Sequence, residues 1–195
     1  MENGLEKGSR RQDCILDAVR SALTEHDYQK LTIEEIATRA GVAKSTIYRW
    51  WSHKADLVFA LFRRETAVIF DLDLAEGLQH NLVLKLTRLV DVLNQPVGRA
   101  ILVVVAEQRD IAARFFKEYL WPKRIQTHQL IALAIERKEI RADYDYELML
   151  DSLYGPIHYQ IIFFNHIPNV QYIEQLVQMV LAPIMLAQNN KKVMS

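Results

Sequence analysis

The chain has 195 residues, half of them apolar, with 24 acidic and 24 basic side chains. So much apolar surface supplies a proper core and excludes a disordered chain, while a net charge of zero excludes any whole-molecule pull toward nucleic acid, so such binding must rest on a local patch. A single cysteine, Cys14, excludes an internal disulfide; its place beside the apolar positions of the first helix suggests a half-buried structural thiol in a reducing compartment.

The opening MENGLEKGSRRQ lacks a signal-peptide core, and the longest aliphatic run, residues 101–106, is far too short to span a bilayer, which points to a soluble cytoplasmic protein with no membrane partner. Residues 1–8 read as a flexible arm. Ser9 and Gln12 have capping-box spacing, and Ile15, Leu16, Val19, Ala22 and Leu23 give a first helix to about His26. Thr32 and Glu35 repeat that spacing before a second helix, on which Ile33, Ile36, Ala37 and Ala40 form one apolar stripe. Gly41 then suits a left-handed exit. Val42 packs inward, and Ile47 and Trp51 give a third helix its buried side.

What remains outward on this third helix is Lys44, Ser45, Thr46, Tyr48 and Arg49, all hydrogen-bond donors and none acidic, as suits a helix in a DNA major groove. The local basic patch would comprise Lys7, Arg10, Arg11, Arg39, Lys44, Arg49, His53 and Lys54. Ser52 offers a cap for a fourth helix with two apolar faces, Leu57, Leu61 and Val68 on one and Val58, Phe62 and Ile69 on the other. Lys54 in its first turn opposes the helix dipole, and a DNA phosphate there would account for it.

Residues 71–81 read as a loop or broken helix, followed by a helix ended by Asn94, Gln95 and Pro96. The run ILVVVA at 101–106 has no partner strand and is assigned to a buried helix. Pro122 should kink or split the long amphipathic stretch from 110 to 138. Two further helices, 145–164 and 170–188, are apolar almost all round and separated by Asn165 to Asn169. Such helices need both a core and a second subunit; Leu153, Ile157, Ile161, Leu176 and Val180 are the candidate dimer contacts, with Leu148, Ser152, Gly155, Tyr159 and Phe163 on the opposite side.

The 26 residues from Thr32, T-I-E-E-I-A-T-R-A-G-V-A-K-S-T-I-Y-R-W-W-S-H-K-A-D-L, resemble the N-terminal DNA-binding domain of the TetR/AcrR family of bacterial transcriptional regulators. Two positions depart from that pattern: Ala43 replaces the commoner capping serine, and Asp27 stands where a glycine often ends the first helix. The resemblance implies an all-α protein with a helix-turn-helix domain over 9–55 and a helical effector-binding and dimerisation domain over 56–195. It implies a homodimer on a double-stranded palindromic operator, most simply a repressor released by a small apolar or aromatic effector. Lys44, Ser45, Thr46 and Tyr48 would lie nearest the bases, with Thr32, Arg49, Trp50, His53 and Lys54 on or near the backbone.

The effector candidates are Phe62, Phe115, Tyr119, Trp121, His128, Tyr154 and His158, aromatic walls with polar anchors. No glycine-rich phosphate loop, nucleophile elbow or metal-ligand spacing is present, so no enzyme activity, metal or cofactor is expected. Two alternatives stay open: an effector-independent DNA-binding dimer, and a helical adaptor or enzyme with a vestigial head.

Overall fold

The structure, a computed structural model, describes residues 2–67 and 73–186, with side chains from residue 9 onward. Val68 and Ile69, expected on the fourth helix, lie outside the described residues; the last helix, expected to run over 170–188, ends at Leu181, and residues 182–184 form a turn. Among the described residues ten α-helices run in order: α1 Glu2–Glu25, α2 Ile33–Ala40, α3 Lys44–Tyr48, α4 Lys54–Glu65, α5 Leu78–Asn94, α6 Pro96–Glu107, α7 Arg109–Phe115, α8 Trp121–Glu136, α9 Tyr146–Phe163 and α10 Val170–Leu181. A 3-10 turn, Tyr28–Lys30, follows α1, and a π turn, Phe116–Leu120, links α7 to α8. Among the described residues the sole β pairing is an isolated bridge between Ile140 and Met185. No single helix among them is long and apolar enough to cross a membrane.

The chain forms two compact units, residues 1–69 with 92–121 and residues 70–91 with 122–195. The first compact unit takes in α4, α6 and α7 together with the helix-turn-helix. In this unit Ile15, Val19, Leu23, Ile36, Ala37 and Ile47 are buried as expected, joined by Leu57, Phe59, Phe62, Ile101 and Val104. Val42 and Trp51 are only half-buried. α1 begins at Glu2, so residues 2–8 are helical and not an arm, and Ser9 is an interior helix residue with no cap to make. Cys14 is exposed, its Sγ 3.7 Å from the Ala40 carbonyl, because it falls beside the buried stripe of α1 and not on it.

Pro96 opens α6, where its missing N–H costs nothing. Gly98 lies so close to the end of α5 that an added Cβ would stand 1.9 Å from the Val92 carbonyl oxygen. The stretch holding Pro122 is not split: it stays helical from Arg109 to Glu136, and the α-helical bonding gives way only to a π turn, Phe116–Leu120, just before the proline.

The second unit is built on one core, Leu78, Leu82, Leu86, Val90, Leu130, Ile131, Leu150, Leu153, Ile157, Ile173, Leu176 and Val177 among its members. Asp145 and Asn169 cap α9 and α10, their side chains accepting from the amides of Leu148 and Tyr172 at 3.0 and 2.9 Å.

Candidate functional site

The helix-turn-helix is set by its ends. The Thr32 hydroxyl accepts from the Glu35 amide at 3.2 Å, capping α2. The reciprocal half of the expected box is not made, since Glu35 turns its carboxylate to Arg39 and His26, each at 3.0 Å. Arg39 also reaches Glu25 at 2.7 Å, tying α2 to α1, and that hydrogen bond holds the Glu25 carboxyl below its ordinary pKa. Gly41 ends α2 at φ 63, ψ 34. Its amide bonds the Thr38 carbonyl and that of Val42 bonds the Ala37 carbonyl, at 3.2 and 3.0 Å, a Schellman closure that fixes how the chain leaves the helix.

α3 follows with Ala43 at its N-cap, which offers no side-chain bond, so α3 is held from below by Ile47, fully buried. Lys44, Ser45, Tyr48 and Arg49 are exposed and Thr46 half-buried, which keeps the expected outward set on one surface. Lys44 pairs with Glu34 across the turn at 2.7 Å; the contact raises the lysine pKa and lowers that of the carboxyl. Arg49 lies over the Trp50 ring, 5.3 Å from its centroid. His53, and not Ser52, is the N-cap residue of α4; its amide donates to Asp56 Oδ2 at 3.1 Å.

Lys54 departs from expectation. Its Nζ donates to the carbonyls of Tyr28, Gln29 and Leu31 at 3.0, 3.0 and 2.9 Å, and sits 4.5 Å from the centroid of the Tyr28 ring. All three donors of the ammonium are thus spent on the turn before α2. The cation at the start of α4 is explained by carbonyls inside the protein, which removes the reason for assigning it a phosphate.

The effector candidates fall into separate groups. Phe62, Phe115 and Tyr119 pack together in the first unit, ring centroids 5.0–5.7 Å apart, and Phe62 is fully buried, so these three fill a core. Trp121 is exposed and lies against Phe116 at 5.9 Å. In the second unit His128 Nε2 contacts Glu147 at 2.6 Å and His158 Nδ1 contacts the Tyr154 carbonyl at 2.8 Å. Burial pushes the Tyr154 hydroxyl pKa up to about 12.

A cavity of about 460 Å³ lies beside the aromatic core of the first unit, between Trp51, His53, Phe59, Ala60 and Arg114. Arg114 is drawn to Asp56 at 2.6 Å and stands over the Phe59 ring. Another, of about 770 Å³, lies in the second unit between His80, Val83, Glu139, Glu174 and Met185.

Lys85 was not singled out by the sequence. It is 5% exposed, hydrogen-bonded to the Lys123 carbonyl at 3.0 Å and to the Thr127 hydroxyl, and burial holds its pKa down to about 8. Its only sequence signal is position: it adjoins Leu86 and lies three residues after Leu82, on the apolar side of α5. Glu25, His26 and Glu35 offer ligand atoms within 4.8 Å of one another, yet the Arg39 guanidinium already occupies both carboxylates.

The dimer candidates are corrected more sharply. Leu153 and Ile157 are 0% exposed and Leu176 is buried with them, all three inside their own core, while Ile161 and Val180 are half-buried. The outward side of α9 and α10 carries Leu148, Tyr159, Ile162, Phe163 and Met179, with Phe163 75% exposed. Gly155 is open, with nothing within 4 Å of a Cβ placed on it.

Comparison with known proteins finds two family models on the chain. Residues 15–61 match the model of bacterial regulatory proteins of the tetR family, and residues 75–180 match a tetracyclin repressor-like C-terminal domain. An uncharacterized HTH-type transcriptional regulator of Bacillus subtilis, YdeS, is 28% identical over 179 residues, 90% of each chain. The TetR family transcription regulator SCO0332 superposes with a TM-score of 0.71 at 22% identity, covering 90% of this chain and 99% of that one. SmeT, the repressor of the Stenotrophomonas maltophilia multidrug efflux pump SmeDEF, does so with a TM-score of 0.63 at 15% identity, over 91% of each chain.

Proposed function

Because the chain belongs to the TetR family of bacterial transcriptional regulators and binds DNA through its helix-turn-helix, we propose that it is a homodimeric repressor that leaves a palindromic operator when a small apolar or aromatic effector binds. The observation that carries the DNA half is the Gly41 closure, which holds α2 and α3 at a fixed angle with Lys44, Ser45, Thr46 and Tyr48 on one open surface. These four read base edges, and Thr32, Arg49, Trp50 and His53 meet the backbone. Lys44 exchanges Glu34 for a base or phosphate on docking.

Dimerisation uses the outward side of α9 and α10, led by Tyr159, Ile162, Phe163 and Met179, since so large an apolar surface suits a partner better than water. The repressor reading draws on SmeT, whose description names it a repressor. The effector reading rests on the family's C-terminal domain and on the aromatic content of this chain. The effector acts by preferring one of two arrangements of the protein, so operator DNA and effector must weaken each other by the same factor. A cytoplasmic location follows for a protein with this work.

The test is selection from a random duplex pool. Inverted half-sites centred about 34 Å apart, or a modest multiple of that, are expected, with binding that weakens steeply with salt. Enrichment of no sequence, or binding indifferent to salt, would overturn the reading. A thermal-shift screen of aromatic and apolar compounds then tests the effector: any hit must bind more weakly when the selected duplex is present, and equal affinity leaves a DNA-binding dimer without a switch.

A further inference from the structure

We infer that Lys54 serves DNA recognition as a positioning residue, one end of an internal link that runs from α4 through the Tyr28–Lys30 turn to Gln108 at the junction of α6 and α7. The geometry is specific at each step. The Lys54 ammonium collects three carbonyls, those of Tyr28, Gln29 and Leu31, and stacks on the Tyr28 ring. The Tyr28 ring is buried, and its hydroxyl accepts from Gln108 Nε2 at 3.1 Å. Leu31, whose carbonyl is one of the three, is itself buried and directly precedes Thr32, the N-cap of α2. The turn is thus clamped from α4 on one side and from the α6–α7 junction on the other, and Leu31, which follows it, hands the chain to α2.

A compact ammonium suits this cradle because its three N–H bonds diverge from one atom; a bulkier guanidinium, its donors fixed in one plane, cannot aim at three carbonyls in the same way. The clamp therefore distinguishes two roles that a DNA-facing lysine would leave mixed. If Lys54 bound phosphate, arginine would replace it well, and neutralising it would reduce the salt slope by about 0.9. If it positions the turn, arginine is a poor substitute and the slope stays as it is. Charge at the interface has not changed, only the angle at which α2 and α3 are presented.

The experiment uses the full chain and a duplex that the wild type itself selects from a random pool, with an unrelated duplex of equal length as control. It rests on the DNA-reading head: the wild type must first prefer its selected duplex, and failure there would sink that reading and not this one. Lys54→Arg and Lys54→Met are expected to weaken binding to the selected duplex by roughly tenfold, about 1.4 kcal/mol, with salt slopes and control-duplex affinity equal to wild type. Tyr28→Phe keeps the ring and the core but removes the hydroxyl at the far end of the link. It is expected to lower selected-duplex affinity about threefold, again with no change of slope, and it decides the matter if the Lys54 variants melt below the assay temperature. Wild-type affinity in Lys54→Arg, a slope smaller by about 0.9 in Lys54→Met, or wild-type affinity in Tyr28→Phe would each overturn the link.

Discussion

α2 in the helix-turn-helix unit and α8 in the second unit end in the same hydrogen-bond closure, built on different residues. After α2 the left-handed residue is Gly41 at φ 63; after α8 it is Lys138 at φ 57, with its amide on the Ile135 carbonyl and that of Glu139 on the Ala134 carbonyl, at 3.0 and 2.9 Å. Glycine takes that conformation without strain and lysine does not. Lys138 is tolerated because the segment beyond it is anchored: the Glu139 side chain accepts from the Leu78 amide at 2.9 Å, and its carbonyl accepts from the Leu186 amide at 2.9 Å. The first unit thus writes its turn locally, in one residue, whereas the second imposes its turn through partners far along the chain.

The same contrast runs through the helices. α2 is eight residues long, with one apolar stripe and a cap at each end, so its phase is unambiguous. α9 is eighteen residues long and apolar nearly all round, and only the core it meets decides which side is inside.

The largest expected effect breaks α9 on either of its two sides. Ile157→Asp places an unpaired carboxylate in a dry core and should cost several kcal/mol, collapsing the second unit in a urea melt. Phe163→Asp, on the exposed side, should leave the melt near wild type and instead shift sedimentation to the monomer. Should Ile157→Asp yield a folded monomer, the two sides have been assigned the wrong way round.

Lys85 sharpens the contrast with Lys54, since both are drawn to carbonyls but Lys85 is buried inside the second unit. Its folded pKa, about 8, lies below the ordinary 10.5. Between those values the unfolded chain holds the proton and the folded chain does not, so stability rises with pH across that window and the penalty is fully present below it. Urea midpoints at pH 7 and pH 10 should therefore differ more for the wild type than can be explained by Lys85→Met, with a gap between the two proteins that closes by at most about 3 kcal/mol. A gap independent of pH would mean that the ammonium is not penalised.

The smallest effect compares the two turns. Gly41→Ala should destabilise and Lys138→Gly should stabilise, each by about 1 kcal/mol. Melts that move in the same direction would show that the turn after α8 is not strained by its lysine.

The sequence by itself determined the head: the Thr32 cap, the Gly41 turn, the buried Ile36, Ala37 and Ile47, and the outward row from Lys44 to Arg49 all follow from spacing within some twenty residues, because capping and left-handed turns are local physics. It also placed the helices in order and the disturbance near Pro122, since proline acts on its own helix, but it missed that α1 begins at Glu2 and that α10 ends at Leu181. Tertiary structure alone decided where Lys54 puts its charge, because the three carbonyls lie 23 to 26 residues earlier in the chain. It decided equally that α6 and α7 join the head unit, that Lys85 is buried, and that Leu153 and Ile157 face inward while Phe163 faces out. A helix that is apolar on every side carries no phase of its own, and a long cationic side chain reaches too far for spacing to name its partner.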